Sequence, residues 1–178
     1  MKIKYKLILI FILIILCASL PLSLFILHKQ EQEKIASVTH QGHIFSTFFA
    51  QSVLNIILAN GGDMKSTQID TREMMSVLKT LTSEGMVYAD AIVVSSKKEY
   101  NGLILASYKI RGYGSPGKSR NNRITDDEVE LLISKKEMSE IRLTGTDDVG
   151  YMFVASGSPP GKKPLCIVRL VFSKSIII

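Results

Sequence analysis

Tryptophan is absent from this chain of 178 residues, and cysteine occurs only twice, as Cys17 and Cys166. Cys17 sits inside an apolar run and Cys166 in a strand-like one, so no disulfide framework of the kind that staples small secreted domains is expected. Histidine occurs three times. That leaves little scope for a histidine base, and no Ser/His/Asp or Cys/His order stands out. Acidic residues are missing from the first 27 positions. All 16 lie later, while the charges of Met1–Leu27 are Lys2, Lys4 and Lys6 alone. One end is therefore membrane-like and the rest soluble-like, which excludes a simple cytosolic enzyme and a disordered tail. The formal charge of +6 dissolves once placed: beyond Lys6 there are 19 basic and 16 acidic residues, a net of +3. That is an ordinary solvated surface, and no nucleic-acid partner is expected.

What the N-terminus does have is a run of 21 residues without charge, Leu7–Leu27. As a helix it spans about 30 Å, the thickness of a bilayer's hydrocarbon core. Pro21 is tolerated in a membrane helix. The rival reading is a cleaved signal peptide with its apolar core at Leu7–Leu16 and a weak cleavage site at Cys17-Ala18-Ser19. The run continues through Leu20, Leu22, Leu24, Phe25, Ile26 and Leu27, which favours an anchor. Lipidation of Cys17 is disfavoured by Leu16, where a small residue is wanted. Lysines 2, 4 and 6 precede the span, against Lys29 and Lys34 after it, so the expected orientation is a cytoplasmic N-terminus and an exported remainder.

Residues 28–60 read as one long helix leaving the bilayer. Its first half is polar, and Phe45, Phe48, Phe49, Val53, Ile56 and Ile57 give it an apolar stripe. Gly61-Gly62 ends it. A second helix is expected to start at Asp70, with Glu73 reaching back in a capping box, and to bury Met74, Met75, Val77, Leu78 and Leu81 before Gly85. The texture then changes to strand. Val87–Ser96 and Leu103–Ile110 flank an Asn101-Gly102 turn and should pair as a hairpin. Arg111–Asn122 reads as a loop, and Thr125 with Glu128 opens a short helix carrying Val129, Leu131, Leu132 and Ile133. Ile141–Leu143 is a short strand candidate. Tyr151–Ser156 and Leu165–Ser173 are stronger ones, joined by the loop Ser158–Pro164. Two hairpins separated by a helix can share one sheet, with the long helix across one face.

The stretches AIVVSSKKEYNGLILASYK (Ala91–Lys109), YMFVASGSPP (Tyr151–Pro160) and LCIVRLVFSKSIII (Leu165–Ile178) resemble the extracytoplasmic sensor region of bacterial membrane receptors, the PAS-like fold of Cache domains. The resemblance covers roughly residues 29–178 and rests on element order and strand texture. It implies the input part of a receptor of the kind that feeds histidine kinases, nucleotide or diguanylate cyclases, or chemoreceptor tails. Such receptors continue into a second membrane helix and an output domain. Here the sequence stops at the apolar Ser175-Ile176-Ile177-Ile178, which is expected to mark a truncated receptor.

Two local patterns compete with that reading. Gly112–Ser119 fits G-x-x-x-x-G-K-S/T literally, the pattern of a loop whose amides cradle phosphate. The required helix does not begin at Lys118-Ser119, and no apolar strand ending in Asp supplies a magnesium partner, so a flexible loop is expected. His40 and His43 lie three apart on the long helix, with no Cys or carboxylate nearby in sequence to complete a metal site, and a solvated helix face is expected. Asp126-Asp127-Glu128 suits a helix N-terminus, and Asp147-Asp148 reads as a turn.

The expectation is thus an α+β protein: residues 1–6 cytoplasmic, 7–27 transmembrane, 28–62 a stalk helix packing on a central antiparallel sheet, and 63–178 a PAS-like sensor domain. It would sit single-pass in the inner (cytoplasmic) membrane as a ligand-sensing input module lacking its own output domain. The alternatives are an anchored binding or structural module without signalling, and a nucleotide-binding protein. No enzymatic role, cofactor or metal is expected. The partners are the lipid bilayer, a small-molecule ligand, and a second copy or full-length receptor relatives. Candidate ligand-binding residues between the sheet and the loop-plus-helix insertion are Tyr108, Arg111, Arg123, Tyr151 and Arg169. Arg169, alone in an apolar strand, invites an anionic partner unless it faces solvent.

Overall fold

The computed structural model describes residues 2–114, 116, 122–134, 138–143, 146 and 148–177. The chain divides into two compact units, Met1–Ser37 and Val38–Ile178. Helix α1, Lys2–Ala59, contributes to both.

In the first unit the apolar run is helical, and it is long and apolar enough to cross a membrane. Its described side chains from Ile8 to Leu27 are exposed. Ser19 and Ser23 donate back along the helix to the carbonyls of Leu16 and Leu20, so neither hydroxyl is left unbonded around Pro21. The polar stretch that follows carries its own local bonds, with Lys29–Glu33 at 3.8 Å and His28–Gln32 at 3.0 Å.

The second unit is α+β, with a five-stranded antiparallel sheet. The strands are β1 (Met86–Val93), β2 (Ile104–Lys109), β3 (Ser139–Arg142), β4 (Val149–Gly157) and β5 (Cys166–Ser173). Their order is β2-β1-β5-β4-β3, every neighbour antiparallel. The two hairpins read from the sequence are there, and they join through β1 and β5. Every residue of β1 and β5 is buried, because both faces of the sheet are covered.

One face is covered by α1. Gly42, Ser46, Ala50, Val53, Leu54 and Ile57 are buried at a helical repeat. The expected stripe is therefore rotated: Phe49, Val53 and Ile57 are buried, Phe45 and Ile56 only partly, and Phe48 is 70% exposed. The reason is closeness of approach. A Cβ on Gly42 would come within 2.5 Å of the Phe153 ring, and one on Gly157 within 2.6 Å of the Ala50 carbonyl oxygen. Small residues make the contact, and the large ones flank it. Because Gly42 meets Phe153 and Ala50 meets Gly157, residues 38–59 run in the same sense as β4. β5 is antiparallel to β4, with Ser173 opposite Gly150. The end of β5 therefore lies at the Val38 end of this helical stretch. There Asp148 accepts bonds from the Ser173 and Ser175 hydroxyls at the start of α4 (Lys174–Ile177).

Helix α2 runs Met64–Val77 and continues into a 3-10 turn, Leu78–Glu84. It starts earlier than the capping pattern at Asp70 suggests. Asp63 caps it, accepting from the Ser66 hydroxyl and from the amides of Ser66 and Lys65, and those bonds hold its carboxyl below the usual carboxylate range. Asp70 lies inside the helix and accepts from the Asn60 side chain at 2.8 Å. Both aspartates are competent caps. Asp63 prevails because the glycine pair directly before it has already broken α1. Met75, Leu78 and Leu81 are buried as expected, while Val77 is 66% exposed.

The other face is covered by helix α3, Asp126–Ser134. The Glu128 amide donates to Thr125 Oγ1, as the capping pattern requires. Val129 and Leu132 pack into a core with Tyr88, Ile92, Met152, Ile167 and Val171, whereas Leu131 and Ile133 face outward. Ser115, Gly117, Lys118 and Ser119 lie outside the described residues, and with them most of the phosphate-loop pattern; so does Asp147.

Candidate functional site

Strand alternation sends Arg169 of β5 and Asp90 of β1 to the α3 face, directly opposite one another in register. Both are buried, at 2% and 0% exposure. The guanidinium meets the carboxylate side-on: Nε donates to Oδ1 at 2.9 Å and Nη2 to Oδ2 at 2.5 Å. This bidentate geometry is what a planar fork offers and an ammonium does not. Tyr88, two residues earlier on β1, donates its hydroxyl to Asp90 Oδ2 at 2.8 Å. The remaining Arg169 nitrogen, Nη1, reaches out of the sheet. It donates to Glu128 Oε1 of α3 and to the Pro116 carbonyl, each at 3.1 Å.

One guanidinium thus touches β1, α3 and the connection ahead of α3 at once. Burial works against the charged guanidinium, but Asp90's bonds and charge outweigh it and hold Arg169 protonated. Burial, then the neighbouring Asp90 charge, drives the Tyr88 phenol strongly upward, so it stays a donor. The network holds two carboxylates against one guanidinium, and Glu128, at 21% side-chain exposure, is its most solvated member.

Beside this network lies a half-open cavity of about 140 Å³. Leu131 and Leu132 of α3, Ile141 of β3 and Met152 of β4 give it apolar walls, and Pro116, Glu128, Arg142 and Arg169 complete the lining. A larger cleft, about 460 Å³, opens between the β1–β2 and β4–β5 loops beside Ser95, Asn101, Glu130 and Lys163. Asn101 is already committed there, accepting from the Ser95 amide and donating to Asp126.

The five residues singled out from the sequence do not converge. Arg169 is in the network. Tyr108 pairs with Ala89, and Tyr151 with Phe172, so both lie on the α1 face; Tyr151 is buried there and Tyr108 half-buried. Arg111 is exposed in the turn after β2. Arg123 donates to the carbonyls of Lys98 and Glu99 and fastens the β1–β2 loop. The anionic partner that Arg169 invites is Asp90, in the chain itself. Asp90, Tyr88, Glu128, Arg142 and Met152 complete the site. The readable signal was Asp90, the one charged residue of Met86–Val93.

His43 is not on a solvated face: it is half-buried, its ring edge-on to Phe153 at 5.3 Å between centroids. Among the described residues no group of three or more His, Cys, Asp or Glu could hold a metal ion. Cys17 and Cys166 are both free. Burial pushes the Cys166 thiol up to about 12.

No family model matches the chain. No curated protein is significantly similar to it.

Proposed function

We propose that the chain is a membrane-anchored, extracytoplasmic ligand-sensing module, the input part of a signal-transduction receptor of PAS-like, Cache type. The apolar part of α1 is its single-pass anchor in the cytoplasmic membrane, and residues 38–178 lie outside the cytoplasm. It acts by pairing with a second copy or with full-length relatives. The observation that carries the reading is the Arg169 guanidinium. It bonds a central strand, a covering helix and a loop carbonyl together, beside a cavity with apolar walls. A ligand that changes those outer bonds would bias how α3 sits on the sheet. The same strand, β5, ends at Ser173, beside the Val38 end of the helical stretch. Strain entering at Arg169 therefore has a short route to the side on which the helix enters the sheet. Such a ligand acts only by binding one packing better than the other.

A second reading, an anchored module without signalling, draws on the same residues. Nε, Nη1 and Nη2 of Arg169 already have acceptors in the chain, as a purely structural network would require.

The full-length chain in lipid nanodiscs tests the proposal by thermal melting against a panel of amino acids, short carboxylates, amines and sugars. A rise of several degrees with one class supports sensing, and a flat response to every class overturns it. For location, reporters fused after Ile178 should give an active alkaline phosphatase and a dark green fluorescent protein. The reverse pattern would place the body in the cytosol.

A further inference from the structure

We infer that Glu128 is an internal plug on the Arg169 site, occupying the position of a small monocarboxylate ligand whose arrival sets α3 free. This rests on the sensing reading and assigns it a ligand class and a switch.

Arg169 divides its donors. Nε and Nη2 are spent inside the sheet on Asp90, in a pair whose members are buried to 98% or more. Nη1 is left outside that pair and holds a carboxylate oxygen, Glu128 Oε1, of a second residue that lines the cavity. That carboxylate differs from Asp90 in both respects that govern exchange. It is partly solvated already, and it sits in the first turn of α3, where swinging into water keeps it at the favourable end of the helix dipole. Replacing it by another carboxylate exchanges one charge-assisted bond for a like one.

The charges set the sign of the incoming group. With Glu128 displaced, Arg169 Nη1 keeps only the neutral Pro116 carbonyl, and a second carboxylate restores the charged partner it has lost. The walls set the rest of the molecule. Leu131, Leu132, Ile141 and Met152 suit a short aliphatic tail. Loss of the Glu128 bond removes the one ion pair that, among the described residues, α3 makes to the sheet.

The test uses the full chain in nanodiscs and sodium butyrate as the probe, against sodium chloride at matched ionic strength and n-butylammonium chloride as the charge-reversed control. Butyrate should raise the melting temperature of the wild type and speed amide hydrogen exchange in 126–134. Glu128→Gln removes the competing charge. If the plug is in place nine-tenths of the time, butyrate should bind this variant about tenfold more tightly. Equal affinity in both proteins, with exchange in α3 unchanged, would overturn the plug while leaving a sensing site intact. Stabilisation by butylammonium instead, or by neither probe, would overturn the ligand class, and the wider metabolite panel then decides the sensing reading separately. Should Glu128→Gln not fold, Leu131→Glu on the exposed side of α3 serves, because it sets a second negative charge on the cavity wall. It should weaken butyrate binding several-fold, and unchanged affinity would equally count against the inference.

Discussion

Asp90 and Arg169 each interrupt an otherwise apolar central strand, and each is tolerable there because of the other. A charge at zero or 2% exposure cannot borrow water, so removing one partner strands the second. Breaking such a pair costs about 3–5 kcal/mol, whereas replacing both members with apolar residues is often neutral. Asp90→Ala and Arg169→Met should therefore each lower the melting temperature of the full chain by roughly 6–20 °C. The double variant Asp90→Val/Arg169→Met should lose less than either, though not nothing, since Tyr88 and the Pro116 carbonyl lose their partners. Melting followed by circular dichroism decides it; a double variant as damaged as the sum of the singles would mean the two residues do not act as a pair. Arg169 was legible in the sequence because an Arg in an apolar strand is an anomaly. Asp90 is the same anomaly 79 positions earlier, but only the register of β1 against β5 makes the two one feature. Tyr108 and Tyr151 went astray for a related reason. Alternation along a strand tells which residues share a face, and the pairing, Val154 rather than Tyr151 opposite Arg169, tells which face that is.

At the scale of elements, the contact between α1 and β4 is built on what is missing from two positions. Gly42 lets the helix rest on the Phe153 ring, which in turn stands edge-on to Phe172 at 5.6 Å; Gly157 lets the strand approach the Ala50 carbonyl and Cys166 Sγ. Overpacking a closed core costs about 1–3 kcal/mol. Gly157→Ala should be the worse of the two, because its obstacle is backbone, while at Gly42 a ring can tilt. Amide exchange in 42–57 should accelerate in both variants, more in Gly157→Ala. Unaltered exchange would mean that α1 is held to the sheet by other contacts. The sequence announced these elements well where a turn punctuates them: Asn101-Gly102 and the Pro-rich loop before Leu165 bound the hairpins within one to three residues, the largest error being Ser96 for the end of β1 at Val93. It was poorer where two good signals compete, as Asp63 and Asp70 do for the start of α2. It was poorer also where phase depends on a partner. A helix with phenylalanine at 45, 48 and 49 does not reveal that glycine, serine and alanine on the adjoining arc make the closest approach.

For the whole molecule the governing fact is the asymmetry between its ends. Between Ile8 and Leu27, fourteen large apolar side chains are each 46% to 67% exposed, and no charge interrupts them. Removing that surface from water is worth on the order of 20 kcal/mol, more than the entire stability of a typical domain. A bilayer or a covering partner satisfies that drive if the run is retained, and cleavage removes it. The two outcomes separate cleanly. Retained as the proposed anchor, the run keeps the chain in the membrane pellet through an alkaline carbonate wash, releases it only with detergent, and leaves an intact mass that includes residues 7–27. Cleaved after Ala18 or Ser19, the chain appears in the soluble fraction with a new N-terminus. In that case the run served only for export, and any communication between the sheet and a membrane would have to pass through something other than α1. The apolar run through Leu20, Leu22 and Leu24–Leu27 favours the first outcome: cleavage at Ser19 would leave Leu20–Leu27 at the head of the mature chain, apolar surface that only a membrane or a partner could cover.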